Sequence, residues 1–160
     1  MKRRLRQQQV KSANPLWKIF DFINFFRLFK NTVIIEIARY IPSMKLKRWV
    51  YIHLLKMKVG NHTAFAFKVV PDLLHPEYIT VGCNCVIGYH TTILTHEITV
   101  DSYREGFVEI GDHTLIGANV TILPGVKIGS HVRVSAGTVV TQDIPDYAIV
   151  YGNPMNIDKK

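Results

Sequence analysis

Cysteine is scarce in this chain of 160 residues: Cys83 and Cys85 are the only two. A turn is expected between them, with Cys85 facing inward, so neither a disulfide nor a metal site is expected of the pair, and the setting read from it is a reducing cytoplasm. Acidic residues are in the minority, 12 against 20 Lys and Arg, which leaves a net charge of +8 and a pI near 9.6. An anionic membrane surface, nucleic acid or a polyanionic cofactor would suit that excess. No apolar run is long and uncharged enough to span a bilayer. A secretory leader is not expected either: polar QQQVKSAN follows the basic start MKRRLR, and Lys18, Asp21, Arg27 and Lys30 break the next apolar stretch. There is no Gly-x-Ser-x-Gly elbow and no cysteine beside a histidine, which argues against a covalent acyl-enzyme.

What the chain has in quantity is one short repeat. From Ile110 it reads IGDHTL, IGANVT, ILPGVK, IGSHVR, VSAGTV, VTQDIP in unbroken register. VGCNCV, IGYHTT and ILTHEI keep the frame upstream, and VGNHTA, FAFKVV and PDLLHP keep it loosely. An apolar residue opens nearly every hexapeptide, a small residue takes the fifth place in most (Thr63, Cys85, Thr91, Thr114, Val120, Val132 and Thr138 among them), and six of the ten glycines take the second, where the backbone is expected to bend tightly. Three hexapeptides close one triangular coil. The frame predicts four coils, Val59–Pro76, Val81–Ile98, Ile110–Lys127 and Ile128–Pro145, interrupted by the tetrad Glu77–Thr80 and by the longer insertion Thr99–Glu109.

Residues 1–58 follow a different grammar and are read as a helical arm or cap, separate from a β-helix domain with C-terminal tail over 59–160. Asn14-Pro15 suits a helix start. Apolar residues from Leu16 to Tyr40 recur at spacings of three and four, Pro42-Ser43 breaks the pattern, and a second helix is expected over Met44–Met57. Such helices can cover the open edge of a solenoid or pack between subunits. A peripheral membrane contact through residues 1–41 is the second reading, since MKRRLR precedes an aromatic stripe from Trp17 to Phe29.

His62, His90, His96, His113 and His131 all take the fourth place of a hexapeptide, a corner where positive φ is often required and which Asn, Asp and His tolerate. Most of them need no further role. His96 stands apart because the longer insertion leaves the solenoid just after it, and loops leaving a rigid scaffold make walled crevices. A histidine there can take a proton from a hydroxyl or amine near neutral pH. Glu97, Asp101 and Glu105 are the nearby carboxylates that could orient its ring. His90 and His96 fall on different faces in this frame, so no metal site is expected.

The run VEIGDHTLIGANVTILPGVKIGSHVRVSAGTVVTQDIPDYAIVYGNP resembles the C-terminal half of the hexapeptide-repeat acyltransferases, in the branch of the maltose and galactoside O-acetyltransferases and xenobiotic acetyltransferases. The resemblance spans about Val59 to Ile157. It implies a left-handed parallel β-helix, a homotrimer with active sites between neighbouring prisms, and acetyl-CoA as donor. His96, in Thr95–Glu97, matches the catalytic histidine, which deprotonates the acceptor. Ala118 matches the residue whose amide polarises the thioester carbonyl. Ala136, Gly137 and Thr141 match the strip that holds the pantetheine arm, and Gly152, Asn153 and Pro154 match the closing turn near the adenine. Asp72 matches an acidic acceptor contact. The chain departs from the sugar enzymes at Gln142, usually Lys, at Leu115, usually aromatic, and at Phe67, near the place of an Asn. Leu115 and Phe67 therefore belong to the acceptor region but lack a stacking plane and a hydroxyl partner.

The expected function is transfer of an acetyl group from acetyl-CoA to a hydroxyl, less readily an amine, of a sugar or envelope glycan, in the cytoplasm or at the inner membrane face. Two other classes share these features. One is a γ-type zinc carbonic anhydrase, which needs three convergent histidines. The other is a non-enzymatic trimeric scaffold with a basic arm; no nucleic-acid partner is expected, because stacking aromatics do not alternate with the basic residues.

Overall fold

The computed structural model describes residues 3–11 and 13–158; Met1 and Lys2 of the basic start and the terminal Lys159–Lys160 lie outside the described residues. The hexapeptides wind into a left-handed parallel β-helix with three flat faces. The first face stacks Lys58–Val59, Ile79–Val81, Val108–Ile110 and Lys127–Ile128. The second stacks Ala64–Phe65, Val86–Ile87, Leu115–Ile116, Arg133–Val134 and Ile149–Tyr151, and ends in the antiparallel strand Asn156–Asp158. The third stacks Val70–Pro71, Thr92–Ile93, Thr121–Ile122 and Val139–Val140.

The repeat explains this shape residue by residue. The opening side chains, from Val59 and Phe65 to Val134 and Val140, are buried along the axis. The fifth-place residues Thr63, Cys85, Thr91, Thr114, Val120, Val132 and Thr138 are buried beside them. Fourth-place residues turn the corners: His62, Lys68, Asn84, His90, His113, Asn119 and His131 have φ between 52° and 60°, and Gly125 and Gly137 have φ of 78° and 73°. The second-place glycines serve a different need from the expected bend, since their φ is not positive. A Cβ on Gly88 would lie 2.5 Å from the carbonyl carbon of Gly117 in the next coil, and one on Gly117 would lie 2.5 Å from the amide of Ala136. Coils stacked at strand spacing, about 4.8 Å, leave no room for it.

Strand register measures the insertions directly. Ala64 pairs with Val86, a step of 22, and Val86 with Leu115, a step of 29, where Leu115 to Arg133 is 18. The excess over 18 is the expected tetrad and the expected eleven residues. The last hexapeptide breaks the frame, however. Ile144 stacks on Ile128 and Ile149 on Arg133, steps of 16, so VTQDIP is cut to four residues before the next coil begins. The Asp143 carboxylate accepts from the Lys127 amide there.

Among the described residues three α-helices precede the coils: α1 (Ile19–Phe22), α2 (Phe25–Ala38) and α3 (Met44–His53). The chain turns through Pro15–Lys18 before α1, so the helix begins later than the Asn-Pro signal implies. It is interrupted because Ile23 is extended and Asn24, also extended, caps α2 by accepting from the Phe26 amide. Ser43 caps α3 in the same way, accepting from Leu46. That helix stops at His53, short of Met57, because Leu55 and Met57 turn inward to fill the end of the prism. The buried Lys47 ammonium donates to the Phe65 and Ala66 carbonyls, and Arg48 donates to those of Val59 and Gly60. Carbonyls at the first coil's open edge are thereby satisfied. Among the described residues no helix is long and apolar enough to cross a membrane.

Residues 3–10 do not form the expected free basic arm. Arg6–Gln9 is a strand, antiparallel to Ser102–Glu105, which in turn pairs with His96–Ile98. Thus the longer insertion is a hairpin and the N-terminus is its third strand. Arg3 and Arg104 both bind the Glu97 carboxylate, at 2.6 and 2.9 Å, and the Arg4 amide donates to Gly125. Basic residues expected to meet an anionic surface are here tied to the solenoid.

Candidate active site

His96 begins the hairpin at the edge of the third face, and unlike the other fourth-place histidines it has no positive φ. The corner duty that explains those four does not explain His96. Its Nδ1–H donates to Asp72 Oδ2 at 2.6 Å. The same oxygen accepts from the amides of Thr95, at 2.7 Å, and His96, at 3.2 Å. Oδ1 accepts from the amides of Leu74, at 2.7 Å, and His75, at 3.1 Å. Five donors converge on one buried carboxylate. Burial pushes the Asp72 pKa up; the His96 ring and the backbone N–H groups more than reverse this and hold it below the usual carboxylate range. A carboxylate only accepts, so in the neutral ring this bond places the proton on Nδ1 and the lone pair on Nε2. The His96 side chain remains 20 % exposed.

None of the three nearby carboxylates orients this ring. Glu97 is engaged by Arg3 and Arg104, Asp101 accepts from Thr99, and Glu105 lies 3.6 Å from His75 Nε2. Asp72, which the resemblance assigned to the acceptor, is sealed beneath His96 with both oxygens occupied. A signal for the pairing was present: a step of 22 stacks Pro71 under Ile93, which sets Asp72 under Leu94, two residues before His96. Around the pair, His75 Nδ1 lies 3.1 Å from Glu77, and Arg27 donates to the same carboxylate. Burial raises the Glu77 pKa, but the His75 and Arg27 contacts bring it down to about 2. Tyr103, whose role the sequence did not suggest, stacks on His96 with centroids 6.3 Å apart and on Phe22 of α1 at 4.5 Å.

The remaining candidate residues form two columns. The registers of the second face set Phe67, Ala118, Ala136 and Gly152 one above another along the corner between the second and third faces. Ala136 and Gly137 are exposed, nothing lies within 4 Å of where a Gly137 Cβ would be, and among the described residues the Ala118 N–H has no partner while its carbonyl accepts from Gly137. Asn153 and Pro154 follow Gly152 in an exposed turn. Thr141 lies on the other margin of the third face, in the column of Asp72. Leu115 points outward from the second face, beside Val86 and Arg133. Phe67 has its ring 4.9 Å from the Lys47 ammonium. His96 and Ala118 thus sit at opposite margins of one face and do not meet within a single prism. Among the described residues no three of His, Cys, Asp and Glu come together as metal ligands, and His113 and His131 stack face to face at 5.0 Å. Cys85 is buried and Cys83 exposed, both free.

The profile of the family described as bacterial transferase hexapeptide (six repeats) matches residues 107–142. The chain is 52% identical to the "Putative acetyltransferase YvoF" of Bacillus subtilis (strain 168) over 155 residues, covering 97% of this chain and 90% of that protein. It is 56% identical to the "Putative acetyltransferase SAS0727" of Staphylococcus aureus (strain MSSA476) over 145 residues, 91% of this chain and 90% of that one. Among solved structures, the hexapeptide-repeat acetyltransferase VCA0836 of Vibrio cholerae O1 biovar eltor, complexed with acetyl-CoA, superposes with a TM-score of 0.71 at 22% identity, covering 84% of this chain and 87% of that chain. A maltose O-acetyltransferase of Clostridium difficile 630 gives 0.60 at 22% identity, over 84% and 86%.

Proposed function

The chain belongs to the bacterial hexapeptide-repeat transferases, and we propose that it transfers the acetyl group of acetyl-CoA to a hydroxyl of a sugar or envelope glycan, with His96 as general base. The observation that carries this reading is the buried Asp72 carboxylate fixing the His96 tautomer with Nε2 open. Nε2 takes the proton of the acceptor hydroxyl as its oxygen attacks the acetyl carbon. A C–O bond forms, the carbonyl oxygen gathers negative charge, and the unpartnered Ala118 N–H is a suitable donor to it. Collapse of the tetrahedral species breaks the C–S bond, and the imidazolium returns its proton to the departing thiolate. The exposed small-residue column through Ala136 and Gly152 suits a narrow extended ligand such as the pantetheine arm. An oxygen rather than a nitrogen acceptor fits because an alcohol needs a base to become a nucleophile, and Asp72 stabilises the imidazolium that results.

His96 and Ala118 lie at opposite margins of one face, so we assign the complete site to the groove between two prisms of a homotrimer. The narrow solenoid also gains burial by packing on its neighbours. The test is acetyl-CoA consumption with a panel of sugar acceptors. His96→Ala should lower the rate about 10²–10⁴-fold while retaining CoA binding. His113→Ala and His131→Ala, which remove corner residues, should change it far less. Equal losses in all three variants would overturn the assignment, and a monomer by light scattering at micromolar concentration would overturn the shared site.

A further inference from the structure

Helix α2 is apolar on both sides. Leu28, Asn31, Ile35 and Ala38 turn toward the body of the protein, and Asn31 donates to the Leu73 carbonyl. On the opposite side Phe26, Phe29, Val33 and Ile37, spaced by three, four and four, are exposed. The face continues past the α1–α2 break, where the Phe25 ring meets those of Phe26 and Phe29 and, with centroids 5.6 Å apart, that of Phe20. Trp17 is 83% exposed and Phe26 77% exposed. Contiguous exposed aromatic surface of this kind marks an interaction site.

The charge distribution decides what would cover it. Residues 1–58 carry fourteen Lys and Arg against two acidic residues, and residues 59–160 carry six against ten, giving +12 and −4. The positive charge of the protein therefore resides wholly in the segment that bears the aromatic face. Even without residues 1–10, of which 3–10 lie along the hairpin, and without Arg27, Arg39, Lys47 and Arg48, which bind groups of the protein itself, residues 11–58 hold six lysines to two acidic residues, one of which, Glu36, is paired with Arg39. A self-packing contact through this segment would bring like charges together. An anionic lipid surface takes both features at once, the rings at headgroup level and the cations against the phosphates.

We propose that the α1–α2 aromatic face docks on an anionic lipid bilayer, lying in its interface without crossing it. The inner side of the same helices reaches the candidate site. Phe22 stacks on Tyr103 and Tyr103 on His96, so two ring contacts separate the docking helix from the ring that holds the free Nε2. Protein so docked would work on acceptors held at the membrane surface. The docking itself does not depend on the acetyl-transfer reading, because it is measured with no acetyl donor present.

The experiment is sedimentation of the full chain with vesicles of phosphatidylglycerol and phosphatidylcholine, against vesicles of phosphatidylcholine alone. The wild type should bind the anionic vesicles at low salt, and bind them less as salt rises. In a Trp49→Phe background, Trp17 emission should shift to the blue on adding them. Phe26→Ser/Phe29→Ser should lose about 10²-fold in partitioning, roughly tenfold for each ring withdrawn from the interface, with oligomeric mass unchanged. Absence of wild-type binding to the anionic vesicles would overturn the proposal. So would a double variant that falls to a smaller species, since the face would then be a contact between copies.

Discussion

Asp72→Asn removes one charge and one acceptor site from the candidate active site with almost no change of volume. In the wild type, Oδ2 faces three N–H donors, those of Thr95, of the His96 backbone and of His96 Nδ1. An amide nitrogen at that place can accept from none of them. Turning the amide to keep its oxygen there moves the nitrogen against the Leu74 and His75 amides instead. Either way at least two buried donors lose their acceptor, at about 1–3 kcal/mol each, so the variant should be less stable by roughly 2–6 kcal/mol. If the nitrogen faces the ring it donates to Nδ1, the proton moves to Nε2, and the lone pair needed for the acceptor is gone. Activity should fall by about 10²–10⁴-fold, the full worth of a general base. The stability difference also has a predicted pH dependence. The Asp72 pKa is depressed in the folded state, so its contribution is present above the ordinary Asp value, near 3.9, and is lost as pH falls through the lower folded pKa. Urea unfolding of both proteins between neutral pH and pH 3, with acetyl-CoA turnover at pH 7.5, measures the two effects. Asp72→Asn that kept activity within threefold of wild type and stability within about 1 kcal/mol would refute the reasoning.

Two further predictions concern the solenoid. Gly117→Ala places a Cβ 2.5 Å from the Ala136 amide of the next coil and should cost about 3 kcal/mol or prevent folding; Gly137→Ala, in open space but at φ 73°, should cost only about 1 kcal/mol. Thermal unfolding of the two variants side by side checks the contrast. Lys47→Ala takes the donor from the Phe65 and Ala66 carbonyls and leaves a cavity beneath α3, so urea unfolding should show a loss of about 2–4 kcal/mol.

The solenoid was legible because its repeat is local. Each hexapeptide carries its own instruction: an apolar residue that must be buried, a small residue for the inner corner, and at the fourth place a residue that tolerates positive φ. Register then followed by counting, and the insertions of four and eleven residues reappear as steps of 22 and 29. The count failed only in the last hexapeptide, where Ile144 stacks two residues early and nothing in VTQDIP announces it. His96 could be singled out because the hairpin insertion follows it directly.

Contacts between segments far apart in the chain were decided by the tertiary structure. Glu97, Asp101 and Glu105 are closest to His96 in sequence, yet the flat hairpin turns them to Arg3, Thr99 and His75, while stacking of coils carries Asp72 under the ring from 24 residues away. The basic start has no β pattern of its own; it becomes a strand because the edge of Ser102–Glu105 offers unpaired backbone groups and Glu97 offers a partner for Arg3. The aromatic period of three and four specified a helix but not which side would be covered, since rings on both sides satisfy it. Only packing against the prism separated Leu28, Ile35 and Ala38 from Phe26, Phe29 and Ile37. Local pattern fixes what each residue does within its own turn, and the stacking of turns, which depends on the whole chain being folded, fixes which residues meet.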